Sequence, residues 1–254
     1  VDTRSMRISA HEILIRLRDE RGDLIMPNGF LPAAERFGLS ADIDRWVIVN
    51  AIDMLAARRR ESPGLRYSIN LSGQTLSEPA VCNLVIHALQ RTGLDPSALT
   101  FEVTETVAIA NMTLAETFLA RLHEIGCSTA LDDFGAGMSS FAYLRELPVD
   151  YVKIDGRFVR NLAVNATDQA MVRAMNDIAH ALALLNAFEK LLVSRDVAVK
   201  FSDSGIVRSF FLSAQAGQQQ TCCQQAASRD QTVHIVLALV MELPGGPSHP
   251  IASR

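Results

Sequence analysis

The sequence predicts an α/β fold in which parallel βα units close as a (β/α) barrel, and three observations carry that expectation. Short apolar or alternating segments recur between stretches of helical periodicity. Several of those strand-like segments end in oxygen-bearing side chains, as barrel strands do where they deliver chemistry. The chain has 254 residues with 48% hydrophobic content, enough for one barrel of about 250 residues around a large core.

The elements follow in order. Ile8 to Leu17, containing His11-Glu12-Ile13-Leu14-Ile15-Arg16, reads as the first strand. Asp42 to Arg60 repeats apolar residues at Ile43, Val47, Ala51, Met54 and Leu55, a helical pattern with Ser40 as the expected N-cap. Arg66 to Ser72 alternates polar and apolar residues and presents Asn70 near its end. Leu76 to Arg91 is helical, and Leu99 to Glu105 is a β-branched and aromatic strand carrying Glu102 and Glu105. A helix over Leu114 to Ile125 leads to Ser128–Leu131, which runs into Asp132-Asp133-Phe134-Gly135-Ala136-Gly137-Met138-Ser139-Ser140. Val149 to Asp155 follows as a strand with Lys153 and Asp155 at its end, and Asp168 to Leu184 as an amphipathic helix.

Adjacent carboxylates at a strand end repel each other, and partial burial worsens the repulsion. A divalent cation relieves it. A solvated Asp-Asp turn is the plain alternative for Asp132 and Asp133 taken alone. Glu12, Glu102, Asp132, Asp133 and the Asn70 amide together make an all-oxygen set without His or Cys, which suits Mg²⁺, Mn²⁺ or Ca²⁺ better than zinc.

These residues resemble one known family, the EAL-domain cyclic di-GMP phosphodiesterases. The name-giving triplet stands here as Glu12-Ile13-Leu14, with Arg16 in the place of the family arginine. Phe30 to Leu39 with Ile43-Asp44-Arg45-Trp46-Val47, then Ile69-Asn70-Leu71-Ser72, Glu102-Val103-Thr104-Glu105, Asp132 to Ser140, and Leu147 to Asp155 are similar to its further motifs, in order. The resemblance runs over residues 5–183.

The resemblance implies a TIM-like barrel of EAL type and a metal-dependent hydrolase that opens cyclic di-GMP to the linear dinucleotide pGpG. It implies Glu12, Asn70, Glu102 and Asp132 as ligands of one cation and Asp133 as ligand of a second, with Mg²⁺ or Mn²⁺ active and Ca²⁺ inhibitory. Lys153 would hold the attacking water or a phosphate oxygen, while Arg16 and Leu14 would contact substrate. Glu105 would anchor the Asp133–Ser140 loop, through which a homodimer would form. A module that binds the dinucleotide or a partner protein without hydrolysing it is the other reading.

Two regions depart from the family pattern. Eleven residues precede Glu12, and none reads as the strand with which the family opens its barrel, so an incomplete barrel with a covered edge is expected. A fragment of a longer chain is the plain reading. Later, Asn186 to Leu192 replaces the family's acidic strand. Glu189 stands at the general-base spacing after Lys153, but Leu192 replaces a second acid and no Gln-Gly follows. Glu189 is therefore either the base or an ordinary helix-surface residue.

The partial barrel is expected to span residues 1–193, with a Gln-rich, irregular tail over 194–254. Gln215, Gln218, Gln219, Gln220, Gln224 and Gln225 lie among Ala, Ser and Gly. Within that tail Val233 to Met241 is an apolar run, a strand or short buried helix too short to span a bilayer. Cys82, Cys127, Cys222 and Cys223 have no metal spacing, which fits a reduced, cytoplasmic setting. His11, His87, His123 and His180 are scattered and take no catalytic part. Arg58-Arg59-Arg60 is the one basic run, a solvated helix end rather than a nucleic-acid patch.

Overall fold

The alternation in the sequence becomes a twisted sheet of parallel strands in the computed structural model, which describes residues 10–136, 141–160, 162, 164–182, 197–200, 208–211 and 237–242. The parallel strands are β1 (His11–Arg18), β3 (Tyr67–Asn70), β4 (Leu99–Thr104), β5 (Ser128–Phe134) and β6 (Tyr151–Ile154), paired in that order. The short β2 (Leu24–Ile25) folds back antiparallel on the end of β1. Helices alternate with the strands: α1 (Pro27–Arg36), α2 (Ser40–Arg58), α3 (Ala80–Thr92), α4 (Glu105–Ala110), α5 (Met112–Ile125), α6 (Gly156–Val159) and α7 (Ala166–Ala181). This β–α order is the mixed α/β architecture that the sequence predicts.

The register sets one face of the sheet. Glu12 pairs with Ser68, Asn70 with Glu102, Glu102 with Ala130, and Thr104 with Asp132, so these side chains share a face across four strands. The opposite face is apolar. Tyr67, Ile69, Leu99, Phe101 and Leu131 are completely buried there, together with Ile48, Ile52 and Leu55 of α2 and Leu119 and Leu122 of α5. An irregularity between β5 and β6 after Leu131 shifts the register, bringing Lys153 beside Asp132.

Several element boundaries differ from those read in the sequence (Glu105 starts α4 instead of ending β4, for example), and three of them have a clear local reason. Ser40 is the first residue of α2 rather than its cap: Leu39 precedes the helix without a side-chain cap, and the Ser40 N–H donates to Gln74 Oε1 at 3.2 Å. Helix 76–91 is broken at Pro79, leaving a 3₁₀ turn over Thr75–Ser77 before α3, because proline restricts the residue ahead of it and lacks an N–H. α7 begins at Ala166, capped by the Asn165 side chain, which accepts from the N–H groups of Thr167 and Asp168.

Within the tail the structure describes three strands: β7 (Val197–Lys200) paired antiparallel with β8 (Arg208–Phe211), and β9 (Leu237–Glu242). β9 resolves the apolar run as a strand, parallel to β1 over Ile13–Arg18. Ile13 pairs with both Ile69 and Leu237, and Leu17 with both Ile25 and Met241. A strand has two edges, so β2 and β3 share one edge of β1 and β9 lies along the other. Among the described residues the sheet stays open between β6 and β9.

Candidate metal centre

Each carboxylate of the site comes from a different strand. Glu12 of β1, Glu102 of β4 and Asp132 of β5 offer oxygens that lie within 4.8 Å of one another. Glu102 is 1% exposed, Asp132 15% and Glu12 33%, so the cluster opens from a dry floor toward solvent. Asn70 at the end of β3 donates its amide to Glu12 Oε1 at 2.9 Å, which leaves its carbonyl as an acceptor.

Lys153 is the counter-charge. Its buried ammonium lies 2.5 Å from Glu102 Oε2, 2.9 Å from Asp132 Oδ2 and 3.9 Å from Glu12 Oε2. Burial pushes Glu102 up, and Lys153 pulls it back against the further upward push of Glu12 and Asp132. For Lys153 burial works downward, but Glu102, Asp132 and Glu12 outweigh it and hold the ammonium above the usual lysine range. With an ammonium at contact distance from two carboxylates, the ionised pair is the form that the site holds.

One cation leaves three carboxylates undercompensated. Glu102 Oε1 is buried and, among the described residues, has no hydrogen-bond partner, an expensive state for a carboxylate oxygen without a further positive group. The donor set is all oxygen, so the residues fit a hard divalent cation. Glu12, Glu102, Asp132 and the Asn70 carbonyl are the groups that would hold it.

Asp133 is not in this cluster. Its backbone sits in the left-handed region at φ 53°, and its side chain is exposed. Burial of part of the group, then the charges of Asp132 and Asp155, raise it above the usual carboxylate range, while Lys153 and Arg157 oppose that. Leu14 and Arg16 follow Glu12 at two-residue intervals on the same strand face, both half-buried, and the Arg16 guanidinium donates to the Ile15 carbonyl at 2.8 Å. Glu105 is buried at the start of α4, and its carboxylate accepts from the Gly135 N–H at 3.0 Å and from the Tyr143 hydroxyl. Gly137 to Ser140 and Glu189 lie outside the described residues.

The sequence reading missed two groups that hold site loops. Tyr143 sits in the 3₁₀ turn Phe141–Arg145, and no local pattern links it to Glu105. Asp44, inside a helical stretch, is buried, and accepts from the Ser72 N–H at 2.8 Å and the Thr75 hydroxyl at 2.6 Å just beyond Asn70. Apart from its place in the Ile43–Val47 segment, an acid at an apolar helix position was the signal it offered.

Comparison with known proteins agrees with this geometry. The EAL domain profile matches residues 1–188. Cyclic di-GMP phosphodiesterase PdeF of Escherichia coli is 39% identical over 175 residues, 69% of this chain and 23% of that protein. Cyclic di-GMP phosphodiesterase PdeB of Shewanella oneidensis is 42% identical over 173 residues, 68% of this chain and 20% of that protein. The chain thus spans under a quarter of the length of these two relatives. Among solved structures, the PaMucR phosphodiesterase in its c-di-GMP complex superposes with a TM-score of 0.64 at 32% identity, over 70% of this chain and 72% of that one. The FimX EAL domain from Pseudomonas aeruginosa bound to c-di-GMP gives 0.63 at 30% identity, over 72% and 73%. Acidic strand ends, the lysine among them and these matches together make the chain a member of the EAL domain family, whose neighbours form TIM-like barrels.

Proposed function

We propose that this domain is a metal-dependent phosphodiesterase that hydrolyses cyclic di-GMP to linear pGpG in bacterial second-messenger signalling. The observation that carries the reading is the convergence of the Glu12, Glu102 and Asp132 carboxylates within 4.8 Å of one another, with Glu102 Oε1 buried and unpartnered among the described residues. The named activities of PdeF and PdeB and the c-di-GMP complexes among the structural neighbours support the same substrate.

In this proposal Glu12, Asn70, Glu102 and Asp132 hold one cation and Asp133 holds a second, with Mg²⁺ or Mn²⁺ active and Ca²⁺ inhibitory. Bound divalent ions lower the pKa of the attacking water and neutralise charge developing on the phosphodiester. Lys153, kept protonated by its carboxylates, donates to that water or to a phosphate oxygen. Arg16 contacts a phosphate and Leu14 packs against the substrate. Water oxygen bonds to phosphorus as its proton passes to a base, for which Glu189 is the candidate; the bond from phosphorus to the 3′ oxygen breaks, and that proton is handed on to the departing 3′ oxygen. A cytoplasmic setting and a homodimer through the Asp133–Ser140 region belong to the same proposal. Among the described residues no helix is long and apolar enough to cross a membrane.

The test is hydrolysis of cyclic di-GMP with Mg²⁺ or Mn²⁺ beside a binding titration in Ca²⁺. Production of pGpG that stops with EDTA is the expected result. Tight binding with no pGpG under any metal would leave a binding module instead.

A further inference from the structure

The Glu105 carboxylate joins three segments that are remote in sequence. It starts α4 directly after β4, which carries Glu102. One oxygen accepts from the Gly135 N–H at 3.0 Å, on the loop leaving Asp132 and Asp133. Its other oxygen accepts from the hydroxyl of Tyr143, in the 3₁₀ turn beyond that loop. Glu105 is 3% exposed, so its orientation is set by these donors and the surrounding packing rather than by water. Gly135 is enclosed from the other side as well. It lies at φ 91°, and a Cβ there would run into the Met175 side chain and sit 3.0 Å from the Phe158 ring. The left-handed backbone at Gly135 favours glycine, and its amide donates to Glu105.

The geometry points to Tyr143 as a positioning residue for the metal centre: its hydroxyl fixes the Glu105 carboxylate, which fixes the Gly135 amide and with it the Asp132–Asp133 strand end. Tyr143 touches neither the carboxylate cluster nor Lys153 by hydrogen bond, so its effect is transmitted through Glu105. Both ligand candidates of this strand end lie close to the bracket, Asp133 two residues and Asp132 three residues before Gly135. The Asp133 N–H donates to Asp132 Oδ1 at 2.9 Å, so a shift of the strand end moves both acids together. A loosened bracket therefore weakens the cation more than it weakens contacts to the substrate. The inference rests on the hydrolytic reading for its kinetic arm but not for its metal arm.

The experiment compares the chain with Tyr143→Phe, Glu105→Gln and the double variant. Mn²⁺ binding without substrate is followed by electron paramagnetic resonance, and cyclic di-GMP hydrolysis by product formation. Tyr143→Phe keeps the ring, so its fold is checked by circular dichroism. It is expected to raise the Mn²⁺ dissociation constant roughly tenfold and to lower kcat while KM stays within about twofold. The double variant is expected to bind Mn²⁺ no worse than Glu105→Gln alone, because the hydroxyl acts through that carboxylate. Unchanged Mn²⁺ affinity in Tyr143→Phe, or additive losses in the double variant, overturns the inference. A chain that never hydrolyses cyclic di-GMP, yet loses Mn²⁺ affinity in this pattern, removes the proposed activity and leaves the positioning role standing.

Discussion

The Lys153 ammonium lies 2.5 Å from one oxygen of Glu102, while the other oxygen of that carboxylate is buried and unpartnered among the described residues. The lysine thus balances one side of the acid and leaves the other for a second positive charge. Two consequences follow for variants: removing the lysine strands three carboxylates together, and adding a divalent cation compensates them from the open side.

Lys153→Met is expected to lower stability without metal by about 3–5 kcal/mol, the usual cost of removing one partner of a buried ion pair. Added Mg²⁺ should recover part of that loss, since it binds only the folded cluster. Urea unfolding with and without Mg²⁺ measures both. A variant as stable as the parent in EDTA would show that the carboxylates are protonated rather than paired. The parent has a pH signature of its own: the Lys153 contribution, from a group raised in the folded state, is complete below the ordinary lysine value and lost above it.

Asp133→Asn separates the second-cation role from substrate contact. Asparagine occupies the left-handed region as readily as aspartate, so the backbone at φ 53° is undisturbed. Hydrolysis should fall by roughly 10²-fold with little change in the dissociation constant for cyclic di-GMP. Equal losses in turnover and affinity would assign Asp133 to holding substrate. Isothermal titration in Ca²⁺ beside a product assay in Mn²⁺ reads the two quantities.

Much of this site was legible because its chemistry sits on strands. Alternation places Asn70, Glu102 and Asp132 on one face, and each appears in the sequence as an oxygen-bearing side chain at the end of an apolar run. What stayed hidden is held by long-range pairing. Tyr143 and Glu105 are 38 residues apart and share no periodic element. The pairing of β9 with β1 depends on a free sheet edge, which composition does not encode, so the apolar run read equally as a strand or a helix. Ser40 looked like a cap because caps are recognised locally, whereas Gln74, far along the chain, takes its N–H.

Asp44 shows how a buried acid supports the Asn70 end. Burial raises it above the ordinary carboxylate value of 3.8, and the hydrogen bonds from Thr75 and Ser72 only partly offset that. A group raised in the folded state binds its proton more tightly there, so stability falls as pH rises from 3.8 through the folded value. Asp44→Asn keeps an acceptor and removes the charge. Its stability at neutral pH should equal or exceed that of the parent, with this part of the pH slope gone. Asp44→Ala strands the Ser72 and Thr75 donors and should cost about 2–4 kcal/mol. Thermal unfolding between pH 4 and 7 checks both signs. A parent that gains stability across that interval by the amount the Asn variant lacks would reverse the assignment.

Whether Glu189 serves as the base sets how fast the proposed reaction runs. General-base assistance is worth about 10²–10⁴ in rate, while electrostatic stabilisation survives without it. The sequence around Glu189 has lost the second acid and the later Gln-Gly that accompany the base in the family. The expected outcome is therefore a chain that binds cyclic di-GMP through its cation site and Arg16 but turns it over slowly, with Glu189→Gln changing neither quantity much. Single-turnover kinetics beside a binding titration tests this directly. If Glu189→Gln instead removes most of a fast rate and spares affinity, Glu189 reaches the site and serves as the base. Fast turnover that is indifferent to Glu189→Gln would place the base on another residue, and the carboxylates beside Lys153 would be the first to substitute.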